Sequence, residues 1–257
     1  MSDRAAVPID QVITLCQRLR LKYVREQVEE VVLTARAQRW DPTDTLHALL
    51  VAEAQGRDRS TIEVRRRRAH FPAGKTFDTW VDSRSSIPPN AQRSLRSLEW
   101  IGRRENLVVA GPSGTGKSHL LEALGHAAID LQMTVAWFSV EDLGALVRRH
   151  RVDDTVSKAF ASLASVALVV VDDIGLLPIS SDAAEGLYRL VDATYERRSV
   201  ALSSNLHPSG FDQLMDKTIA SALVDRLLHH AHVIVTEGES VRLIDATSGK
   251  GVVPLAS

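Results

Sequence analysis

The octapeptide Gly111-Pro112-Ser113-Gly114-Thr115-Gly116-Lys117-Ser118 constrains this chain more than any other feature. It fits the pattern G-x-x-x-x-G-K-[ST] at every defined position, directly after the apolar run Leu107-Val108-Val109-Ala110. Each residue type there has a physical task. Glycines let the backbone turn so that several N–H groups converge on phosphate oxygens. The helix behind them directs the positive end of its dipole at the same anion. Lys117 is expected to reach the β- and γ-phosphates of ATP, and Ser118 to offer an oxygen to Mg²⁺. A strand, a phosphate-cradling loop and a helix in that order imply an α/β sheet.

The chain beyond the loop continues this alternation. Strands are expected at 107–110, 135–138, 166–171, 200–203 and 232–235. Helices are expected at 117–129, from a capping box at Ser139 to about His150, and at 183–196 and 218–228. Residues 106–257 thus predict a five-stranded parallel sheet covered on both faces. Residues 1–70 read differently: Val12, Leu15 and Leu19, then Val24, Val28, Val31, Val32 and Ala35, recur at helical spacing. Asp41-Pro42 opens a further helix, with a side-chain cap and then Pro at the first position. A small all-helical N-terminal domain is expected there. Residues 71–105, punctuated by Pro72, Gly74, Pro88 and Pro89, read as a linker and lead-in, with Phe77 and Trp80 as packing residues.

A phosphate loop needs a carboxylate on the metal side. Leu168-Val169-Val170-Val171-Asp172-Asp173 supplies one at a strand end. Asp172 is expected to hold the Mg²⁺ hydration shell, and Asp173 to orient or deprotonate the attacking water. Asn205, at the end of the next strand, can touch the γ-phosphate or its water. Arg226 stands alone on an amphipathic helix, as an arginine supplied across a subunit boundary would.

The order of phosphate loop, acidic strand end, polar strand end and late arginine resembles the AAA+ ATPases. Within them the chain resembles the IstB-like transposition helpers, relatives of the DnaC-type helicase loaders. The resemblance runs from about Leu19 to Leu243. It rests on Gly111 to His119, Val170-Val171-Asp172-Asp173-Ile174-Gly175-Leu176-Leu177-Pro178, Ser203-Ser204-Asn205, Asp225-Arg226-Leu227-Leu228-His229-His230 and Gly238-Glu239-Ser240-Val241-Arg242-Leu243. It implies an AAA+ P-loop fold without a C-terminal helical lid, with Asn205 as sensor 1, Arg226 as a finger acting in trans and Arg242 as a sensor 2-like contact. It also implies homo-oligomers with composite nucleotide sites, assembly on duplex DNA and recruitment or stimulation of a cognate transposase. The alternative is a helicase loader acting on a replicative helicase. Two positions depart from the pattern: Asp173 stands where many members have Glu, so hydrolysis is expected to be slow, and Val241 replaces a frequent Tyr.

Net charge is −1, but residues 1–106 carry +5 and residues 107–257 carry −6. Arg65-Arg66-Arg67-Arg68 is the densest charge, and successive helical residues lie about 100° apart, so all four cannot face a core. They are candidates for nonspecific DNA phosphate contact, as are Arg148 and Arg149 in a loop after the second sheet helix. His229, His230 and His232 are not expected to bind metal, because no acid or Cys adjoins them in sequence. The single cysteine, Cys16, excludes an internal disulfide. The longest apolar run, 166–171, is far short of a membrane span, and no signal peptide is apparent. A cytoplasmic protein is expected.

Overall fold

The computed structural model describes residues 7–72, 74–175 and 177–247, in two compact units, 1–64 and 65–257. The first contains α1 (Ile9–Arg18), α2 (Lys22–Gln38) and most of α3 (Pro42–Ala69). Cys16, Val24 and Val28 form its small core, with Val12, Ile13, Leu21, Val32 and Leu49 against them. Helix α2 has no side-chain cap of its own. Glu53, reaching from α3, accepts the Tyr23 and Val24 N–H groups at 2.8 and 3.1 Å and so satisfies donors that the helix start leaves open. The Asp41 carboxylate caps α3 through the Thr43 N–H at 2.7 Å, as the Asp-Pro start predicts.

The second unit is built on five parallel strands: β1 (Asn106–Ala110), β2 (Val135–Ser139), β3 (Leu168–Ile174), β4 (Ser199–Ser204) and β5 (Ala231–Val235). Their order is β2-β3-β4-β1-β5. Strands β1 and β4 are buried along their whole length, which explains the apolar runs Leu107–Ala110 and Val200–Leu202 within them. Alternate residues Val108, Val169, Val171 and Leu202 face one side. They pack there against α7 (Val140–Arg151), α8 (Val156–Leu163), α9 (Ser181–Thr194) and α10 (Lys217–Leu228). Helix α6 (Lys117–Asp130) lies against β2, β3 and β4 and buries Leu120, Leu121 and Leu124.

Several boundaries differ from expectation. The third strand begins at Leu168, and its acids lie within it, since pairing to β4 resumes at Ile174. Helix α7 has the predicted capping box, with Ser139 and Asp142 reciprocating, but it continues to Arg151. Arg148 and Arg149 are therefore in its last turn and not in a loop. Helix α8 is not expected from the sequence; it has only eight residues, too few turns for its period to stand out, and Val156 and Phe160 anchor it. Residues 71–105 form α4 (Pro89–Arg96) and α5 (Glu99–Gly102) and bury Ile87, Leu95, Leu98, Trp100 and Ile101 within the second unit. Helix α11 (Val241–Thr247) follows β5.

Candidate functional site

The loop after β1 lies at the carboxyl end of the sheet, where β4 and β5 flank β1 on either side. Open parallel sheets form ligand crevices at such a place. Two close approaches explain why its glycines are required. Gly111 has φ +148°, and a Cβ there would run into the Thr236 carbonyl and hydroxyl. Gly114 has φ +85° and faces Ser240, while its carbonyl accepts the Val241 N–H at 3.0 Å. The segment after β5 thus clamps the loop from behind. Buried Thr115 and Thr236 share a hydroxyl–hydroxyl bond of 2.7 Å.

Lys117 opens α6 and is only 6% exposed. Its ammonium donates to the Gly111 and Pro112 carbonyls at 2.7 Å each and to Asn205 Oδ1 at 2.9 Å. Burial pushes its pKa below the ordinary lysine value; the Asp173 and Asp172 carboxylates act against that shift, and Arg242 adds to it. Asn205 also donates from Nδ2 to Asp173 Oδ1 at 3.3 Å. A cavity of about 210 Å³ is lined by Ser113, Gly114, Gly116, Lys117, Ser118 and His119 of the loop and by Asp173, Asn205, Val241 and Arg242. The fold therefore brings together Ser113 and Arg242, which the sequence separates by 129 residues. Asp172 lies one residue from this lining; its Oδ1 is bonded by the Ser203 hydroxyl, and its other oxygen has no partner among the described residues.

Three participants are assigned no role at the site by the sequence. Lys75 lines the same cavity. Trp80 lines an adjoining cavity of about 230 Å³ with Thr79, Val81, Arg84, Thr115, Gly116, His119 and Val241. Its indole crosses the His119 ring edge-on at 5.2 Å, and its Nε1 donates to Gln92 Oε1 at 2.9 Å. Gln92, 3% exposed, is itself held by the Asp82 and Ile87 carbonyls. Ser203 is the third, bonded to both acids. It lies in the segment Ser203-Ser204-Asn205, but nothing in that segment assigns it a role. Phe77 packs under the Arg96 guanidinium, 4.4 Å away.

Arg226 is not among the residues lining either cavity. Its Nε lies 3.2 Å from Asp192 on α9, with the guanidinium over the Tyr188 ring. The arginine cluster is divided. Arg65 donates to the Gln132 carbonyl and Arg66 pairs with Asp130 at 2.6 Å, whereas Arg67 and Arg68 are exposed and have no partner among the described residues. Arg148 pairs with Asp182 at 3.5 Å, and Arg149 lines a groove with His70, Trp137 and Phe138. The histidines do have acids nearby in space: His229 lies 4.0 Å from Glu196, and His232 lies 2.7 Å from Glu105. Glu196, His229 and His230 form the one cluster of three His, Cys, Asp or Glu ligand atoms among the described residues, all three exposed. No helix among the described residues is long and apolar enough to cross a membrane.

Residues 14–248 match the family described as IstB-like ATP binding protein. The chain is similar to the ATP-binding protein of insertion sequence IS21 from Pseudomonas aeruginosa, 29% identical over 231 residues, or 89% of this chain and 87% of that one. It is equally similar to that of insertion sequence IS232 from Bacillus thuringiensis subsp. berliner, 29% identical over 237 residues, 91% of this chain and 95% of that one. Among solved structures, AMPPCP-bound DnaA from Aquifex aeolicus superposes with a TM-score of 0.54 at 21% identity, over 73% of this chain and 58% of that one. This chain spans a little over half of that initiator's length, and the likeness identifies the fold as that of the AAA+ P-loop proteins.

Proposed function

Because the chain belongs to the family of IstB-like ATP binding proteins and is an ATPase, we propose that it serves DNA transposition as an ATP-driven switch on duplex DNA. In this reading it binds ATP with Mg²⁺, assembles into homo-oligomers on DNA and recruits or stimulates a cognate transposase in the cytoplasm. The observation that carries it is the chain of bonds Lys117–Asn205–Asp173, which lines one cavity with the phosphate loop.

Backbone N–H groups of residues 113–119 cradle the phosphates, and Lys117 neutralises the β- and γ-phosphate charge. Ser118 and Asp172 would hold Mg²⁺: both offer hard oxygen donors, and one Asp172 oxygen is left over from its bond to Ser203. The ion would withdraw charge from the phosphate oxygens as the terminal phosphoryl group departs. Asp173 is placed to take a proton from the attacking water, which Asn205 holds in line. The shorter Asp side chain makes this step slow. Arg242, lining the same cavity, contacts the phosphates from the sensor 2 side. Residues 71–105 carry Lys75 and Trp80 to the nucleotide, residues 106–257 form the ATPase domain, and residues 1–70 mediate assembly and DNA contact. The exposed Arg67 and Arg68 support contact with DNA, as does the basic end of α7 at Arg148 and Arg149.

Arg226 acts on the neighbouring subunit's nucleotide, leaving its partner Asp192 to do so. The test is ATP turnover with and without duplex DNA, together with sedimentation in ATP. DNA is expected to raise turnover of the native chain. Arg226→Ala is expected to keep ATP affinity and to lose turnover by about 10³-fold, the low end for arginine fingers. Unchanged turnover removes the finger from the reading. Retention of a transposase, and not of a replicative helicase, on the ATP-bound assembly identifies the partner.

A further inference from the structure

Strands β3 and β4 pair from Leu168 with Ser199 to Val171 with Leu202, and again at Ile174 with Ser204. Two residues, Asp172 and Asp173, therefore stand opposite the single residue Ser203. This is a β-bulge. Asp173 accommodates it with φ +65°, a left-handed conformation uncommon for a residue with a Cβ. A bulge turns an N–H out of the ladder, and here Ser203 Oγ accepts it: the Asp173 N–H donates at 2.8 Å. The same hydroxyl donates its proton to Asp172 Oδ1. Ser203 is 1% exposed, so water does not compete for either bond. One hydroxyl thus fixes the backbone of one acid and the carboxylate of the other.

We infer that Ser203 is a positioning residue for ATP hydrolysis: bonded to both acids but outside the cavity lining, it sets Asp172 toward the metal side of the phosphates and Asp173 toward the attacking water. The inference rests on the roles assigned above to those two acids. Without the hydroxyl, the Asp172 carboxylate rotates about its broad terminal torsion, and the Asp173 N–H loses its acceptor at the bulge. Asn205, bonded to Asp173, then loses its register with Lys117.

The experiment compares Ser203→Thr with Ser203→Val in the full chain. The two side chains have nearly the same shape, both suit a buried strand, and only one carries a hydroxyl. Two quantities are read: kcat and KM for ATP, and the gain in affinity for a non-hydrolysable ATP analogue when EDTA is replaced by Mg²⁺. Ser203→Thr is expected to stay within about threefold of the native chain in both. Ser203→Val is expected to lose about 10–100-fold in kcat, the range for residues that orient metal ligands. It should also keep its analogue affinity in EDTA and lose most of the Mg²⁺ gain. If the two variants behave alike, both active or both impaired, the hydroxyl has no positioning role and the inference is overturned. Asp172→Asn, run in parallel, tests the reading underneath: an undiminished Mg²⁺ gain there removes Asp172 from the metal side, whatever the Ser203 variants show.

Discussion

Lys117 and the arginines at 65–68 are all cations suited to phosphate, yet the fold treats them in opposite ways. Lys117 is buried and bonded to three oxygens, so its position is set to within a hydrogen bond. The arginines fan around the end of α3, and the fold uses two of them to tie that end to Asp130, the last residue of α6, and to Gln132 just beyond it. Only Arg67 and Arg68 keep their charge for solvent or a ligand. A motif specifies geometry through the backbone; a charge run specifies only a field, and helix phase decides which members remain available.

Replacing Lys117 by Ala attacks the buried side of this contrast and carries the largest effect. Removing one partner of a buried charged contact costs about 3–5 kcal/mol, so ATP affinity should fall more than about a hundredfold. Equilibrium titration checks it, and near-native affinity would place the nucleotide elsewhere. The exposed side predicts a smaller, salt-dependent effect. Ala at Arg67 and Arg68 should lower the slope of log affinity for duplex DNA against log salt by about 1.8, from about 0.9 per lost phosphate contact. Ala at Arg65 and Arg66 should change that slope much less and lower the melting temperature slightly, since both lie in half-exposed bonds. Equal slopes for the two pairs would erase the distinction.

The smallest effect belongs to the opposite end of the sheet. Arg103, and then His232, hold the Glu105 carboxyl down at about 2. A depressed carboxylate stabilises the fold fully above its unfolded value near 4.5, and that share is lost as pH falls toward 2. Glu105→Gln should therefore lower the melting temperature by about 1–3 °C at neutral pH. The gap between variant and native chain should close over that acid window. A gap that persists at pH 2 would mean that packing, and not charge, is the cause.

The sheet and its loop were legible because each strand is an apolar run and the loop's residue types admit few other structures. Asp172 and Asp173 were found because they follow an apolar run, and Asn205 because it ends the next strand. The remainder was hidden for particular reasons. Ser203 resembles any strand serine until its facing bulge is known. Trp80 lies among prolines and glycines that suggest a linker, and its importance comes from Gln92, twelve residues on, which holds the indole. The acids beside the histidines, Glu196 and Glu105, lie 33 and 127 residues away in the chain, so no window of sequence contains them.

The clamp behind the phosphate loop also orders events in time. Thr236, Ser240 and Val241 belong to the last described segment, and they brace glycines that emerge from the ribosome at least 125 residues earlier. Strand β5, which carries Thr236 to its place, pairs with β1 and with no other strand. A nascent chain halted before residue 231 therefore has a complete phosphate motif and no brace for it. Contacts so distant in sequence form late, because the intervening chain must first surrender its freedom. Bracing of the phosphate loop is thus expected to wait for the segment after β5, well after the motif itself has been made.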